Sequence, residues 1–156
     1  TYAVLAAAPV ALYLWLWLFV ANAVSDGDAA PLPYVPVLNP LDLACLAVLV
    51  AIAWWYVALR RHGMAWRVAP AELAVALGVA GFAWANGALL RTLHHWAGIP
   101  YALDDMLRST LAQTAISVFW TVLAVGTMLV ATRRAQRPLW VAGAFLLGVV
   151  ALKLFM

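Results

Sequence analysis

Five long apolar runs, separated by short polar connections, dominate the sequence. They lie near residues 3–24, 41–59, 71–93, 109–131 and 138–156. A helix needs roughly 20 apolar residues to cross the hydrocarbon core of a bilayer, so each run is about long enough to span it. Of the 156 residues, 68% are hydrophobic and 10% are charged, whereas a soluble domain carries about 25% charged residues. This composition excludes a soluble globule and a disordered chain, and it predicts an all-α, polytopic transmembrane helical bundle.

Local signals mark the start of several helices. Asn39 can cap the second helix, and Pro40 suits the first helical position. Asp42, at the third helical position, can form a hydrogen bond back to the capping residue. Pro70 and Pro138 predict the starts of the third and fifth helices in the same way.

Basic residues in the short connections predict the orientation. The second and fourth connections hold Arg60, Arg61, Arg67, Arg133, Arg134 and Arg137. The first connection holds Asp26 and Asp28 and no basic residue. By the positive-inside rule, the two basic connections are cytoplasmic, which places the N-terminus inside and the C-terminus on the outer side.

Cysteine content and the chain ends add two expectations. The single Cys45 excludes an intramolecular disulfide and a multi-cysteine metal site, and we expect it to serve packing. Thr1 stands at the first position, no signal peptide precedes the first apolar run, and Met156 ends the chain within an apolar helix. We therefore expect this to be a single transmembrane fragment of a longer chain.

Arg91, His94 and His95 share one helix face at the predicted outer end of the third span. Guanidinium and imidazole groups together can bind an anion or a phosphate. Alternatively, Arg91 snorkels to the lipid headgroups and the histidines lie at the interface. A metal site is disfavoured, because no third ligand has a recognisable spacing.

Asp104, Asp105 and Arg108 form a second polar group, and we expect the fourth helix to start at Asp104 or Asp105. A carboxylate at a helix start satisfies free N–H groups, and Arg108 can pair with either acid at the i+3 or i+4 spacing. Capping and local pairing are favoured here over a general base or a partner for a cation on another helix.

Lys153 carries an ammonium group within a predicted span. Such a charge is costly in hydrocarbon, so it should face the bundle interior, pair with an acid or snorkel to the interface. We predict that it lies within reach of an acid at similar depth and near Gln113 or Asn86. The candidate acids are Asp42, Asp104 and Asp105. On the fourth span, the hydroxyl residues at helical spacing are interpreted as interhelical packing, with Gln113 as the exception.

Nine polar residues are therefore candidates for a substrate-binding site or a structural polar layer near the outer side. They are Asp42, Arg91, His94, His95, Asp104, Asp105, Arg108, Gln113 and Lys153. One hypothesis is that this layer binds or processes an anionic lipid-linked or polysaccharide precursor. The alternatives are a proton-coupled transporter or permeation subunit, and a structural assembly subunit. Membrane lipids and further spans are the expected partners, with no cofactor and no nucleic acid.

Four stretches carry a resemblance to a known family. They are Leu38-Asn39-Pro40-Leu41-Asp42-Leu43, Leu89-Leu90-Arg91-Thr92-Leu93-His94-His95, Arg108-Ser109 with Gln113, and Arg137-Pro138-Leu139-Trp140-Val141-Ala142-Gly143 running to Lys153-Leu154-Phe155. In these stretches the chain resembles the C-terminal part of a family of large bacterial multi-pass membrane proteins that bears only a domain-of-unknown-function label. The resemblance implies an inner-membrane location and a cell-envelope context. It implies no established reaction.

Overall fold

Six α-helices make up the structure, a computed structural model that describes residues 6–63 and 69–155. The helices are α1 Ala8–Val24, α2 Pro40–Arg61, α3 Pro70–Ala97, α4 Leu103–Arg108, α5 Thr110–Arg133 and α6 Arg137–Leu154. No strand occurs within those described ranges. The predicted all-helical fold is confirmed.

The helix starts at α2 and α3 follow the predicted local chemistry. The Asn39 side chain accepts a hydrogen bond of 2.9 Å from the backbone N–H of Asp42, and Pro40 is the first residue of α2. Helix α3 begins at Pro70, and the Glu72 carboxylate accepts from the backbone N–H of Ala69 at 3.0 Å. These bonds satisfy donors that have no partner within the helix.

The predicted start of the fourth span at Asp104 or Asp105 is wrong. Both acids belong to the short helix α4, which ends at Arg108. Ser109 then has an extended backbone, and its side chain accepts from the backbone N–H of Ala112 at 3.2 Å, so Ser109 caps a new helix. A serine in the N-cap position competes with helix continuation because its hydroxyl satisfies the free N–H groups of the next turn.

Among the residues that the structure describes, three helices are long and apolar enough to cross a membrane: α2, α3 and α5. Helix α1 is also apolar but has 17 residues. Together with the many large apolar side chains that remain exposed, this identifies a multi-pass membrane protein. The direction in which each helix crosses stays a prediction, and Arg67 of the second connection lies outside the described residues.

The chain divides into two compact units, Thr1–Tyr101 and Ala102–Met156. In the first unit, α1, α2 and α3 pack around a small apolar core. Its buried members are Leu18, Cys45, Val48, Ile52 and Ala80. Cys45 therefore serves packing, as predicted.

The second unit is built on the antiparallel pair α5 and α6. The helices approach closely at Gly143, where an added Cβ would lie 2.6 Å from the Met128 side chain and 2.9 Å from the backbone oxygen of Ala124. Small residues at such contacts allow membrane helices to pack by van der Waals attraction. Gly143 thereby sets the spacing of this helical pair.

Candidate functional site

A fully buried ion pair joins Arg91 of α3 to Asp42 in the first turn of α2. Both side chains have 0% exposure, and Arg91 Nη2 donates to Asp42 Oδ1. Isolated charges inside a protein or a bilayer are strongly unfavourable, so burial of this kind requires a partner and further hydrogen bonds. Arg91 therefore does not snorkel to the lipid headgroups, because its side chain is fully buried against Asp42. The anion-binding interpretation of its helix face stays a prediction.

Three neighbours form further hydrogen bonds with the pair. Arg91 Nη1 donates to Asn22 Oδ1 of α1 at 3.0 Å. Asp42 accepts from Trp84 Nε1 at 3.0 Å and from the Asn39 side-chain amide. We call these five residues, Asn22, Asn39, Asp42, Trp84 and Arg91, the polar lock. It joins all three helices of the first unit.

Two glycines make room for the polar lock. At Gly87, an added Cβ would overlap Asn22 Oδ1 and lie 3.0 Å from Arg91 Nη1. Gly27 is buried with φ +72° in the connection after α1, and a Cβ there would lie 2.6 Å from Arg91 Cδ. Only a residue without a side chain permits this approach at either position.

Tyr101, in the connection after α3, contacts the polar lock at Asn22. Its hydroxyl donates to the backbone oxygen of Asn22 at 2.6 Å. Burial raises the pKa of Tyr101 above its ordinary value of 10.0, partly offset by the nearby Arg91 charge. Arg91 Nε is buried and has no hydrogen-bond partner among the residues described.

The histidines contact residues in the connections after α1 and after α3. Because a carbonyl oxygen only accepts, His94 Nδ1 donates to Ile99 O at 2.7 Å and His95 Nε2 donates to Asp26 O at 3.0 Å. His94 Nε2 lies 3.7 Å from Asp26 Oδ2, and His95 stacks on Tyr34 with ring centroids 4.1 Å apart. Both imidazoles thus donate to backbone oxygens, and His95 also stacks on a tyrosine ring.

Asp104, Asp105 and Arg108 are exposed on α4 in the second unit. The predicted ion pairs of Arg108 with these acids are absent from the described part of the chain. The two carboxylates instead lie in the first turn of a helix, where they oppose the positive end of its dipole. Their exposure lets water screen the charges.

Lys153 has no carboxylate partner within the described residues of its own unit. Its Nζ donates to the backbone oxygen of Gln113 at 3.1 Å and to Ser117 Oγ at 3.2 Å. The predicted pairing with Asp104 or Asp105 is wrong, because these acids lie on α4, beyond the Ser109 break, whereas Lys153 packs against α5. The predicted proximity to Gln113 is confirmed.

An open groove of about 530 Å³ runs beside Lys153 along one face of α5. Its lining is Thr110, Gln113, Thr114, Ser117, Val118, Thr121, Val122, Val150 and Lys153. We call it the Lys153 groove. Within the described chain, no group of three or more His, Cys, Asp or Glu side chains could hold a metal ion.

Several contributors to the polar lock carry weak sequence signals. From the sequence, Trp84 cannot be distinguished from a packing or interfacial aromatic residue. In the structure its indole N–H donates to Asp42. Asn22 is polar within an apolar run, which is unfavourable in lipid and marks it as a candidate for an interhelical bond. Gly87 lies inside a helix, and its role follows only from the observed closeness of Asn22 and Arg91.

The family model described as "Predicted membrane protein (DUF2339)", a domain of unknown function, matches residues 1–156. Neither the curated proteins nor the solved structures gave a significant match to the chain. The apolar helices among the described residues agree with that description. The chain belongs to the DUF2339 family of predicted membrane proteins.

Proposed function

We propose that the unit Thr1–Tyr101 is a structural scaffold within a larger membrane assembly, held together by the polar lock. One observation carries the proposal: the Arg91 and Asp42 side chains are both 0% exposed and are bonded to each other. A ligand site must leave some donors or acceptors open to the ligand, whereas this pair uses its charges within the protein. Its expected partners are further spans of the same protein or other membrane subunits.

The polar lock gives less support to transport. A proton relay needs a chain of titratable groups connected to water or to a cavity. Arg91 and Asp42 bond to two asparagines and an indole, none of which exchanges protons near neutral pH. The adjacent Tyr101 hydroxyl also keeps its proton there, because burial raises its pKa above the ordinary value. We therefore rank the structural function above the proton-coupled one.

Chemical modification of arginine tests the scaffold proposal. The protein is reconstituted in nanodiscs and treated with phenylglyoxal, and modified arginines are identified by mass spectrometry. Arg108 is exposed and serves as the matched control in the same chain. We expect Arg108 to react while Arg91 stays unmodified until the protein unfolds. Modification of Arg91 at the rate of Arg108 would show that the site is open and would refute the scaffold proposal.

Binding of an anionic lipid-linked or polysaccharide precursor of the bacterial inner membrane is the second candidate function. The observation that favours it lies in the other unit. Lys153 lines an open groove and donates only to uncharged groups among the described residues of that unit. A cation in this setting can form a charge-assisted hydrogen bond with an anion that enters the groove.

A further inference from the structure

We propose that the Lys153 groove binds an anionic amphiphile, with a phosphate headgroup at the Lys153 ammonium and an acyl or prenyl chain along the valines of α5. The proposal rests on the second candidate function and is independent of the polar lock. It names the ligand by its chemistry: one phosphate group on one apolar chain.

The ammonium has capacity for such a ligand. A lysine has three N–H donors, and two of those of Lys153 go to Gln113 O and Ser117 Oγ. One donor is left for a ligand. These two bonds also hold the flexible side chain along α5 at the groove. The lysine therefore loses less conformational entropy when a ligand binds.

Two hydroxyls on the lining of the Lys153 groove are also available. Thr110 and Thr114 are exposed, line the groove and have no side-chain hydrogen bond to any described residue. Deeper in the groove, Thr121 donates to the backbone oxygen of Ser117 at 2.8 Å and is therefore satisfied within its own helix. The free donors are thus concentrated at the Lys153 end, where a phosphate could use them.

The groove becomes apolar away from Lys153. Val118 and Val122 follow the free hydroxyls on the same face of α5, and Val150 of α6 lies across from them. From Thr114 to Val122 the helix rises about 12 Å, the length of several methylene units. A polar cationic end followed by an open apolar surface matches a headgroup with its chain, which argues for a lipid over a free ion.

Binding is measured with the whole chain in nanodiscs of phosphatidylcholine, titrated with phosphatidic acid that carries a fluorescent acyl chain. We expect Lys153→Gln to weaken binding about tenfold, as loss of one charge-assisted hydrogen bond would. Lys153→Arg should retain most of the affinity. Arg137→Gln is the matched control, because it removes an exposed cation at the opposite end of α6, and it should leave the affinity unchanged.

A second variant tests the apolar part without touching the charge. Val118→Trp places a bulky ring over the apolar part of the groove and should weaken binding. In a separate competition experiment on the unmodified protein, inorganic phosphate in large excess should fail to displace the lipid. Unchanged affinity in both Lys153→Gln and Val118→Trp, with folding verified by circular dichroism, would overturn the proposal. Full competition by inorganic phosphate would overturn the assignment to a lipid.

A photoreactive amino acid at position 118 identifies what occupies the groove. A lipid adduct supports the proposal, whereas an adduct with a protein helix would overturn it. The substitutions at Lys153 and Val118 and the photoreactive residue lie in the second unit. Arginine modification measures the accessibility of Arg91 in the first unit. Failure of the lipid proposal and failure of the scaffold proposal are therefore distinguishable.

Discussion

Asn22 and Arg91 are 69 residues apart in the chain, and their 3.0 Å hydrogen bond passes directly beside Gly87. We expect Gly87→Ala to destabilise the protein by about 1–3 kcal/mol, because the added methyl group must displace Asn22 or separate α1 from α3. The free energy of unfolding can be measured by denaturation in mixed micelles. Gly81→Ala in the same helix is the control: its Cβ meets no atom within 4 Å. A loss of stability equal to that of the control would contradict the tight contact.

Gly143→Ala is expected to disrupt the second unit in a similar way. The added Cβ would press on Met128 and on the backbone oxygen of Ala124, and a backbone atom cannot move aside cheaply. We predict a loss of about 1–3 kcal/mol, with Gly148→Ala as the control on the same helix, since its Cβ meets open space. Equal unfolding curves for the two variants would show that α5 and α6 do not depend on this approach.

Tyr101 predicts a dependence on alkaline pH. Because burial raises the pKa of its hydroxyl in the folded protein, the folded state holds this proton more tightly than the unfolded state. The resulting stability is fully present below pH of about 10 and is lost as pH rises through the folded pKa.

Tyr101→Phe should remove that alkaline loss and cost about 0.5–1.5 kcal/mol at neutral pH, because the bond to Asn22 O is absent. Titration of tyrosinate absorbance, compared with that of the variant, gives the contribution of this hydroxyl. Tyr13→Phe removes an exposed tyrosine and is the control. A Tyr101 contribution that titrates at the ordinary value or below it would contradict the buried hydrogen bond.

The predicted orientation can be tested by single cysteines. Asp28→Cys and Ala102→Cys should react with an impermeant maleimide added outside intact cells, whereas Gln136→Cys should react only after the cells are opened. All three positions are exposed, and the native Cys45 is buried. The reverse pattern would invert the topology without affecting the polar lock.

Local chemistry in the sequence predicted much of the fold. Asn39, Pro40 and Asp42 act within four consecutive residues, so their capping role can be inferred without knowledge of the tertiary structure. The Ser109 break was missed because a serine next to acidic residues is compatible with either the end of one helix or the interior of a longer one. Only the observed cap on Ala112 distinguishes these cases.

The candidate site was harder to predict because its bonds are not local. Asp42 and Arg91 are 49 positions apart, and each could have paired with other groups at similar depth. Lys153 was expected to seek a carboxylate, but its amine donates to the backbone oxygen of Gln113. A backbone oxygen carries no side-chain signature, so no sequence pattern could have identified this acceptor.

The double-mutant cycle of Asp42 and Arg91 tests the polar lock most directly. Asp42→Leu or Arg91→Met alone leaves an uncompensated buried charge, and each should cost about 3–5 kcal/mol of unfolding free energy. The double variant replaces both charges with apolar groups and should lose far less than the sum, with a coupling energy of about 2 kcal/mol or more. Additive losses in the double variant would contradict the account, because they would mean that the two side chains do not stabilise each other.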